Sequence, residues 1–191
     1  MIKYPEPGRV KTRLAGDIGA EKAALICRHM TERVMKQTIP EAGEYARFVF
    51  YDPPERVRDF LSWLPQEKFI AQRGSDVGQR MDNAVRYLLE NGAERAVITG
   101  ADIPDLTSKI IIQAFEMLDH ADVVIGPAHD GGYYLIGMKS PIPELFRNIP
   151  WSTKDVFSET VRALKHSGKS CGVLPALSDL DTFEDLGHIY K

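Results

Sequence analysis

Short apolar segments alternate with amphipathic segments along most of the chain, and this alternation is the strongest constraint on its fold. Residues 95–99 (RAVIT) and 122–126 (DVVIG) are almost continuously apolar, which is typical of strands buried on both faces of a sheet. Between such strands, apolar residues recur at helical spacing, as in 20–37 and 108–118. The pattern predicts a three-layer α/β sandwich with a mixed, mostly parallel sheet.

One stretch departs from this alternation. In DVVIGPAHDGGYYLIGM, residues 122–138, two strand-like runs flank a turn that contains Asp130, Gly131 and Gly132. This turn is too short for a helical crossover, so we expect a hairpin and therefore a mixed sheet. Because no repeat, low-complexity run or linker interrupts the 191 residues, we expect one domain spanning residues 1–191.

Composition limits the partners and the compartment. A formal net charge of −3 gives no general attraction for nucleic acid or for an anionic membrane. No apolar run approaches the roughly 20 residues that a membrane span requires. The two cysteines, Cys27 and Cys171, have neither metal-binding nor CxxC spacing, which fits a reducing compartment such as the cytoplasm.

The opening segment PEPGRVKTRL, residues 5–14, places a turn beside three cations. It is not a P-loop, because Val10 stands where that motif has the glycine directly before its lysine. If the chain is extended after the turn, alternate side chains point the same way, so Arg9, Lys11 and Arg13 would share a face that suits a diphosphate. The alternative is a solvated basic segment.

Two acids stand where a metal could bind. Asp102 follows the strand RAVIT, and Mg²⁺ takes one or two carboxylates together with substrate oxygens. Since Thr107 and Ser108 can cap the next helix, a ligand role is favoured for Asp102. Asp181 precedes the last predicted helix, where it either caps that helix or completes a metal site with Asp102. Both roles stay open for Asp181.

Two loops combine glycine with polar side chains. In QRGSDVGQRM, residues 72–81, Asp76 acting as a helix cap is slightly favoured over contact of the loop with a nucleobase or phosphate. In PAHDGG, residues 127–132, Asp130 is a better candidate than His129 for contact with an acceptor hydroxyl. The glycine pair would let the backbone approach a ligand closely, although Asp-Gly is also a common hairpin turn.

Six motifs in order carry a resemblance to a known family. They are PEPGRVKTRL, QRGSDVGQRM, TGADIPDL, GPAHDGGYYLIG, PWST and DLDTFEDL. Together they resemble the nucleotide-diphospho-sugar transferases of GT-A type, among relatives of the molybdenum-cofactor and phospholactate guanylyltransferases. The resemblance covers nearly the whole chain. It implies a single α/β nucleotide-binding domain, a nucleotide-sugar or NTP donor, a small-molecule acceptor and Mg²⁺ or Mn²⁺, and it leaves a homodimer open.

The resemblance also implies roles for individual residues. Asp102 and Asp181 become the metal ligands, and Lys11 and Arg13 become the main phosphate ligands. The donor-side residues that it implies are Pro7, Gly8, Arg9, Lys11, Arg13, Gly74 and Arg80. On the acceptor side, Asp130 would orient or deprotonate the acceptor, next to Gly131 and Gly132.

The activity expected from this resemblance is glycosyl transfer from a nucleotide-diphospho-sugar to a small-molecule acceptor. Nucleotidyl transfer from an NTP to a phosphorylated acceptor, with release of pyrophosphate, is the alternative enzyme. A nucleotide-binding protein of the same fold without catalysis is the non-enzyme alternative. The same residues serve both enzymes, so the sequence does not separate them.

The chain departs from the family pattern at its beginning. Members begin with an apolar strand directly before the phosphate loop, whereas here only Met1 and Ile2 precede Lys3-Tyr4. We therefore expect the first strand to be truncated or missing, with loss of the tether for the loop and an open sheet edge. Either the true start of translation lies upstream, or this member has lost its activity.

Overall fold

The computed structural model describes residues 1–189, and these divide into two compact units. Unit 1 contains Met1–Ala71, Gly100–Ser108 and the described residues from Ser178 onward. Unit 2 contains Gln72–Thr99 and Lys109–Leu177. Each unit has its own sheet. The single domain over residues 1–191 stays a prediction.

Helices and strands alternate as the apolar pattern predicts. The strands are β1 (Ile2–Lys3), β2 (Val49–Asp52), β3 (Phe69–Ala71), β4 (Ala96–Thr99), β5 (Val123–Pro127), β6 (Tyr133–Met138) and β7 (Cys171–Val173). The helices are α1 (Thr12–Ile18), α2 (Ala20–Gln37), α3 (Val57–Trp63), α4 (Val77–Glu90), α5 (Ser108–His120), α6 (Val156–Ser167) and α7 (Phe183–Ile189). Short 3₁₀ turns at Pro54–Arg56 and Pro143–Phe146 complete the fold. No helix within residues 1–189 is long and apolar enough to span a bilayer.

The sheet of unit 1 is parallel and has the order β1-β2-β3. The truncated first strand is confirmed: β1 has two residues, and Ile2 pairs with Tyr51 of β2. Apolar side chains from this sheet and from α2 and α3 form a core around the fully buried Phe60. Tyr4 packs edge-on against Phe60, with ring centroids 5.3 Å apart, so aromatic packing holds the chain that leaves β1.

The sheet of unit 2 is mixed and has the order β4-β6-β5-β7. Strand β6 runs antiparallel to β4 and β5, while β5 and β7 are parallel. The predicted hairpin is therefore confirmed, with a register shift between Gly126 and Pro127. Val123, Val124 and Ile125 are fully buried, as a strand covered on both faces requires. The predicted mixture of mostly parallel pairing with antiparallel strands is confirmed, and the strands are distributed over two sheets.

Helix boundaries follow the sequence signals where caps are present. Helix α2 covers 20–37 as predicted, with Ala23, Met30 and Val34 on its buried face. Helix α4 begins after Asp76, whose side chain accepts the Gln79 backbone N–H at 2.8 Å, so the cap assigned to Asp76 is confirmed.

Helix α1 was not predicted. The segment after the Pro-Gly turn was expected to be extended, but Thr12–Ile18 is helical and begins directly after Lys11. Lys11 has a left-handed backbone conformation, with φ 46° and ψ 47°, and this conformation turns the chain into the helix.

Candidate functional site in unit 1

The opening loop is anchored at both ends. On one side, the Tyr4 backbone N–H donates to the Asp52 carbonyl oxygen at 2.8 Å, which continues the β1–β2 ladder past the end of β1. On the other side, Val10 is 6% exposed and Leu14 is fully buried in unit 1. The loop between them turns at Gly8, which has a φ of +77°. The short first strand therefore still provides a tether, and aromatic and aliphatic packing reinforce it.

Two further segments bring acids to this loop. Asp102 lies in the segment that follows β4, and Asp181 lies two residues before the start of α7. The Leu180 backbone N–H donates to the Asp102 carbonyl oxygen at 3.1 Å, and the Leu180 side chain is fully buried. A backbone hydrogen bond and a buried anchor thus fix the two acidic segments side by side.

Asp181 does not cap the helix that follows it. Asp185 Oδ2 accepts the backbone N–H groups of Asp181 at 2.9 Å and Thr182 at 2.6 Å, and it also accepts the Thr182 hydroxyl. The Asp185 backbone N–H in turn points to Thr182 Oγ1 at 3.4 Å, in the manner of a capping box. Of the two roles left open for Asp181, the cap therefore belongs to Thr182 and Asp185, and the Asp181 carboxylate is available to a cation.

The Lys11 ammonium lies between the two acids. Its Nζ donates to Asp102 Oδ2 at 2.9 Å and to Asp181 Oδ1 at 2.7 Å. The Lys11 side chain is 7% exposed, whereas those of Asp102 and Asp181 are 43% and 35% exposed. Arg13 follows with Nη1 at 3.7 Å from Asp181 Oδ2 and a side chain that is 64% exposed. Four charged groups from three distant segments therefore form one cluster.

The surroundings hold Lys11 in its charged form. Burial alone would lower the pKa of Lys11, but the charges of Asp102 and Asp181 and the hydrogen bonds to them raise this pKa above its ordinary value. The ammonium therefore balances one of the two negative charges at neutral pH. Asp102 and Asp181 keep a net charge of −1 with Lys11, before Arg13 is added.

Arg9 was predicted to share a face with Lys11 and Arg13, but it lies outside this cluster. The expectation that Arg9, Lys11 and Arg13 share one face assumed an extended chain, and α1 removes that geometry. The Arg9 guanidinium pairs instead with Glu6, three residues earlier, at 3.8 Å. Pro7 and Gly8 form the turn before Arg9. Neither residue has a side chain that could donate a hydrogen bond to the acids.

The acidic pair has the donor chemistry for a hard divalent cation. Two carboxylates from different segments contact the same ammonium, so their oxygens are close enough to share one cation, and Mg²⁺ accepts one or two carboxylates with substrate oxygens and water. Within residues 1–189 there is no group of three or more His, Cys, Asp or Glu side chains that could hold a metal. A metal here would take its remaining ligands from substrate and water.

In unit 2, two residues that the resemblance places on the donor side contact each other. Gly74 and Arg80 are in contact, since Arg80 Nε donates to the Gly74 carbonyl oxygen at 3.2 Å. Gly74 has a φ of +136°, and a Cβ there would lie 2.8 Å from the Arg80 backbone nitrogen. The structure therefore gives Gly74 a backbone role, and contact of Gly74 and Arg80 with a nucleoside stays a prediction.

The turn between β5 and β6 explains the presence of the glycine pair Gly131-Gly132 without a ligand. Asp130 Oδ1 accepts the Gly132 backbone N–H at 2.8 Å, which closes the turn between β5 and β6. Gly131 has a φ of +92°, and a Cβ on it would collide with the Lys154 carbonyl. The Gly131 carbonyl accepts the Phe157 N–H at 2.9 Å. The turn is thus fixed to the start of α6.

Sequence reasoning assigned no role to Trp151, although PWST was one of the six motifs. The Trp151 indole packs on the backbone of Gly78, where a Cβ would meet the ring at 2.5 Å. Its ring also lies edge-on to Tyr133, with centroids 6.3 Å apart. Trp151 therefore links the start of α4 to β6. The signal in the sequence was Gly78, a glycine in the first turn of α4, two residues after the cap Asp76, where a large side chain can approach the backbone.

Comparison with known proteins identifies the family. Residues 35–153, more than half of the chain, match the family described as "Uncharacterized protein conserved in bacteria (DUF2064)". A crystal structure of a protein from Desulfovibrio desulfuricans G20, described as a "putative nucleotide-diphospho-sugar transferase", is 38% identical. It matches 100% of this chain and 84% of its own, with a TM-score of 0.91. The chain belongs to the DUF2064 family.

More distant structures share the fold of this DUF2064 chain. CMP:2-keto-3-deoxy-manno-octonic acid synthetase, in complex with CTP, is 13% identical and has a TM-score of 0.57 over 98% of this chain and 93% of its own. The bifunctional IspDF from Campylobacter jejuni is 12% identical, with a TM-score of 0.57 over 84% of this chain and 46% of its own. A search of curated proteins found no match. The predicted resemblance and the predicted fold class, that of nucleotide-diphospho-sugar transferases, are confirmed.

Proposed function

We propose that this DUF2064 chain is a Mg²⁺- or Mn²⁺-dependent transferase that uses a nucleotide-activated donor. The donor we propose is a nucleotide-diphospho-sugar, and the reaction is glycosyl transfer to a small-molecule acceptor. The observation that carries this proposal is the convergence of Lys11 and Arg13 with Asp102 and Asp181. A pair of carboxylates beside two cations is the combination that a metal-bound diphosphate requires.

Asp102 and Asp181 would hold the metal. When bound, a divalent cation offsets the negative charge of two donor phosphates and of the nucleoside diphosphate as it departs. The exposed Arg13 guanidinium would donate to a phosphate oxygen on the solvent side of Asp181. For the acceptor, the proposed group is Asp130, which is exposed and uses Oδ1 to close its own turn, so that Oδ2 would accept from the acceptor hydroxyl.

A nucleotidyltransferase is the second candidate. Two structures with the same fold carry the names CMP:2-keto-3-deoxy-manno-octonic acid synthetase and IspDF, and the first was solved with CTP. In that case the same acids and cations would act on an NTP, and the leaving group would be pyrophosphate. Because both are below 25% identity, they support the fold and leave the choice of reaction to experiment.

The product that is released distinguishes the two reactions. The purified chain would be incubated with Mg²⁺ or Mn²⁺, candidate acceptors, and either the four NTPs or a panel of UDP-, GDP-, ADP- and dTDP-sugars. Free nucleoside diphosphate supports glycosyl transfer, and pyrophosphate that appears only with an acceptor supports nucleotidyl transfer. Nucleotide binding without either product would support the non-catalytic alternative.

The matched variants Asp102→Asn and Asp105→Asn test the site itself. Both lie in the loop after β4, but the Asp105 side chain is exposed and lies outside the charged cluster. We expect Asp102→Asn to lower turnover by about 100-fold or more, as for removal of other groups that stabilise transition-state charge, and Asp105→Asn to keep it. Full turnover and full metal-dependent nucleotide binding in Asp102→Asn would reject the site. The predicted homodimer and cytoplasmic location stay predictions.

A further inference from the structure

The position between Asp102 and Asp181 is filled by a cation that belongs to the chain. A lysine ammonium has three donors and no acceptor, and two donors of Lys11 are used by these acids. The Lys11 side chain is only 7% exposed, so the ammonium faces the acids rather than the solvent from which a donor would arrive. In this arrangement only the third N–H of Lys11 is left for the phosphate that the resemblance implies, and the side chain that carries it is almost fully buried.

A metal on the same two acids would compete directly with this ammonium. Metal–oxygen distances are about 2.0–2.1 Å for Mg²⁺, and carboxylate oxygens already bonded to an ammonium would have to turn from nitrogen to metal. Two cations on the same pair of oxygens would also repel each other strongly in a partly buried position. The oxygens can therefore serve Lys11 or the metal, but not both.

We propose that Lys11 and the divalent metal occupy the Asp102–Asp181 pair alternately, and that metal binding expels the Lys11 ammonium toward the donor phosphates. This inference rests on the proposed function, because it takes that pair as the metal site. It assigns Lys11 two successive partners. Without metal, Lys11 pairs with both acids; with metal, the same ammonium becomes a phosphate ligand.

The charges of the cluster give the exchange a consequence. With Lys11 in place, the ammonium offsets one of the two carboxylates, and Arg13 is the exposed cation of the cluster. With a divalent cation in place, the carboxylates are neutralised and the Lys11 charge is free. Since linkage between two ligands is reciprocal, metal and polyphosphate should each tighten the binding of the other. Lys11 would carry that coupling.

The flexible stem of Lys11 allows the exchange without loss of the loop. The backbone of Lys11 is fixed in its left-handed conformation at the start of α1, and the neighbouring Val10 and Leu14 are buried. The four-carbon side chain can therefore swing by rotation about its own bonds while the backbone stays in place.

Mn²⁺ binding to Lys11→Met and to the wild-type chain measures the competition. The methionine keeps the length and the apolar stem but removes the charge, and Lys22→Met is the matched control, because Lys22 is exposed on α2 in the same unit. With Mn²⁺ as the probe, followed by the electron paramagnetic resonance signal of free Mn²⁺, we expect Lys11→Met to bind about tenfold or more tightly, since its competitor is gone. We expect Lys22→Met to match the wild type.

Equal or weaker Mn²⁺ binding by a folded Lys11→Met chain, with wild-type binding that depends on Asp102, would overturn the exchange and leave the proposed metal site intact. Absence of Mn²⁺ binding in both chains would instead overturn the metal part of the proposed function, and the exchange with it. The two failures are therefore distinguishable.

A measurement on the unchanged protein covers the case in which Lys11→Met does not fold. Nuclear magnetic resonance detects ammonium groups of lysines that are buried and hydrogen-bonded, and the Lys11 signal can be assigned by its absence in Lys11→Arg. We expect titration with Mg²⁺ to shift or remove this signal together with changes in the backbone signals of Asp102 and Asp181. Backbone changes at both acids without any change at the Lys11 ammonium would contradict the proposal.

Discussion

Replacement of Gly131 by alanine tests whether the glycine in the turn between β5 and β6 is needed for the fold or for binding a ligand. Gly131 has a φ of +92°, where an L-residue is strained by about 1–2 kcal/mol. A Cβ at this position would also collide with the Lys154 carbonyl, which belongs to the backbone and cannot rotate away as a side chain could. Overpacking of this kind costs about 1–3 kcal/mol. We therefore expect a loss of about 3 kcal/mol in the free energy of unfolding.

Gly168→Ala is the control that isolates the collision. Gly168 ends α6 with a φ of +67°, so alanine is strained there too, but no atom lies within 4 Å of the added Cβ. Its expected cost is about 1 kcal/mol, the strain alone. Both variants belong to unit 2, so the comparison stays within one part of the chain.

Thermal and urea unfolding of the ligand-free chain, followed by circular dichroism, provide the measurement. For a protein of this size each kcal/mol corresponds to about 2–4 °C, so we expect a fall of about 6–12 °C for Gly131→Ala and about 2–4 °C for Gly168→Ala. A Gly131→Ala chain that is no less stable than Gly168→Ala would refute the steric argument. If that chain had also lost acceptor or donor binding, the glycine would serve a ligand rather than the turn.

Two further predictions concern packing and pH in unit 2. Gly78→Ala gains at most about 1 kcal/mol of helix propensity but displaces the Trp151 indole, so we expect lower stability and a red-shifted tryptophan fluorescence; an unchanged spectrum would contradict this. The backbone N–H and hydroxyl of Ser170 donate to Asp122 and hold its pKa below the ordinary value. Asp122 therefore stabilises the fold at pH values above its pKa in the unfolded chain, and this stabilisation is lost as the pH falls through its lower pKa in the folded chain. Ser170→Ala should raise this pKa, as measured by carboxyl ¹³C titration, and an identical titration curve in both chains would contradict the role of the hydroxyl.

The strands and long helices were predictable because several independent signals agree. Helix α2 has eighteen residues of regular apolar spacing, and β5 is a continuous apolar run followed by a turn motif. Helix α1 was missed because it has seven residues, TRLAGDI, which is too short for a periodic pattern to develop. Its start also depends on Lys11 adopting a left-handed conformation, which a lysine rarely does.

The members of the charged cluster were predictable, but their pairing was not. Asp102 and Asp181 were singled out because each stands next to the end of a predicted element, and Lys11 because it follows a turn. The two hydrogen bonds of Lys11 join positions 91 and 170 residues apart, and no local pattern records such contacts. Arg9 was included because the loop was taken as extended, and it pairs with Glu6 once α1 forms.

The two acids of the cluster are held by contacts that do not involve the cation between them. The backbone hydrogen bond from Leu180 to Asp102 fixes the two segments, and Asp185 fixes the backbone at Asp181 and Thr182. The backbone that carries the two carboxylates is therefore fixed independently of the cation between them, which is part of the preorganisation that an ion site requires. If Lys11 instead set that geometry, its removal would separate the acids, and Mn²⁺ affinity would fall rather than rise. The affinity change in Lys11→Met thus reports whether the fold or the lysine builds the site.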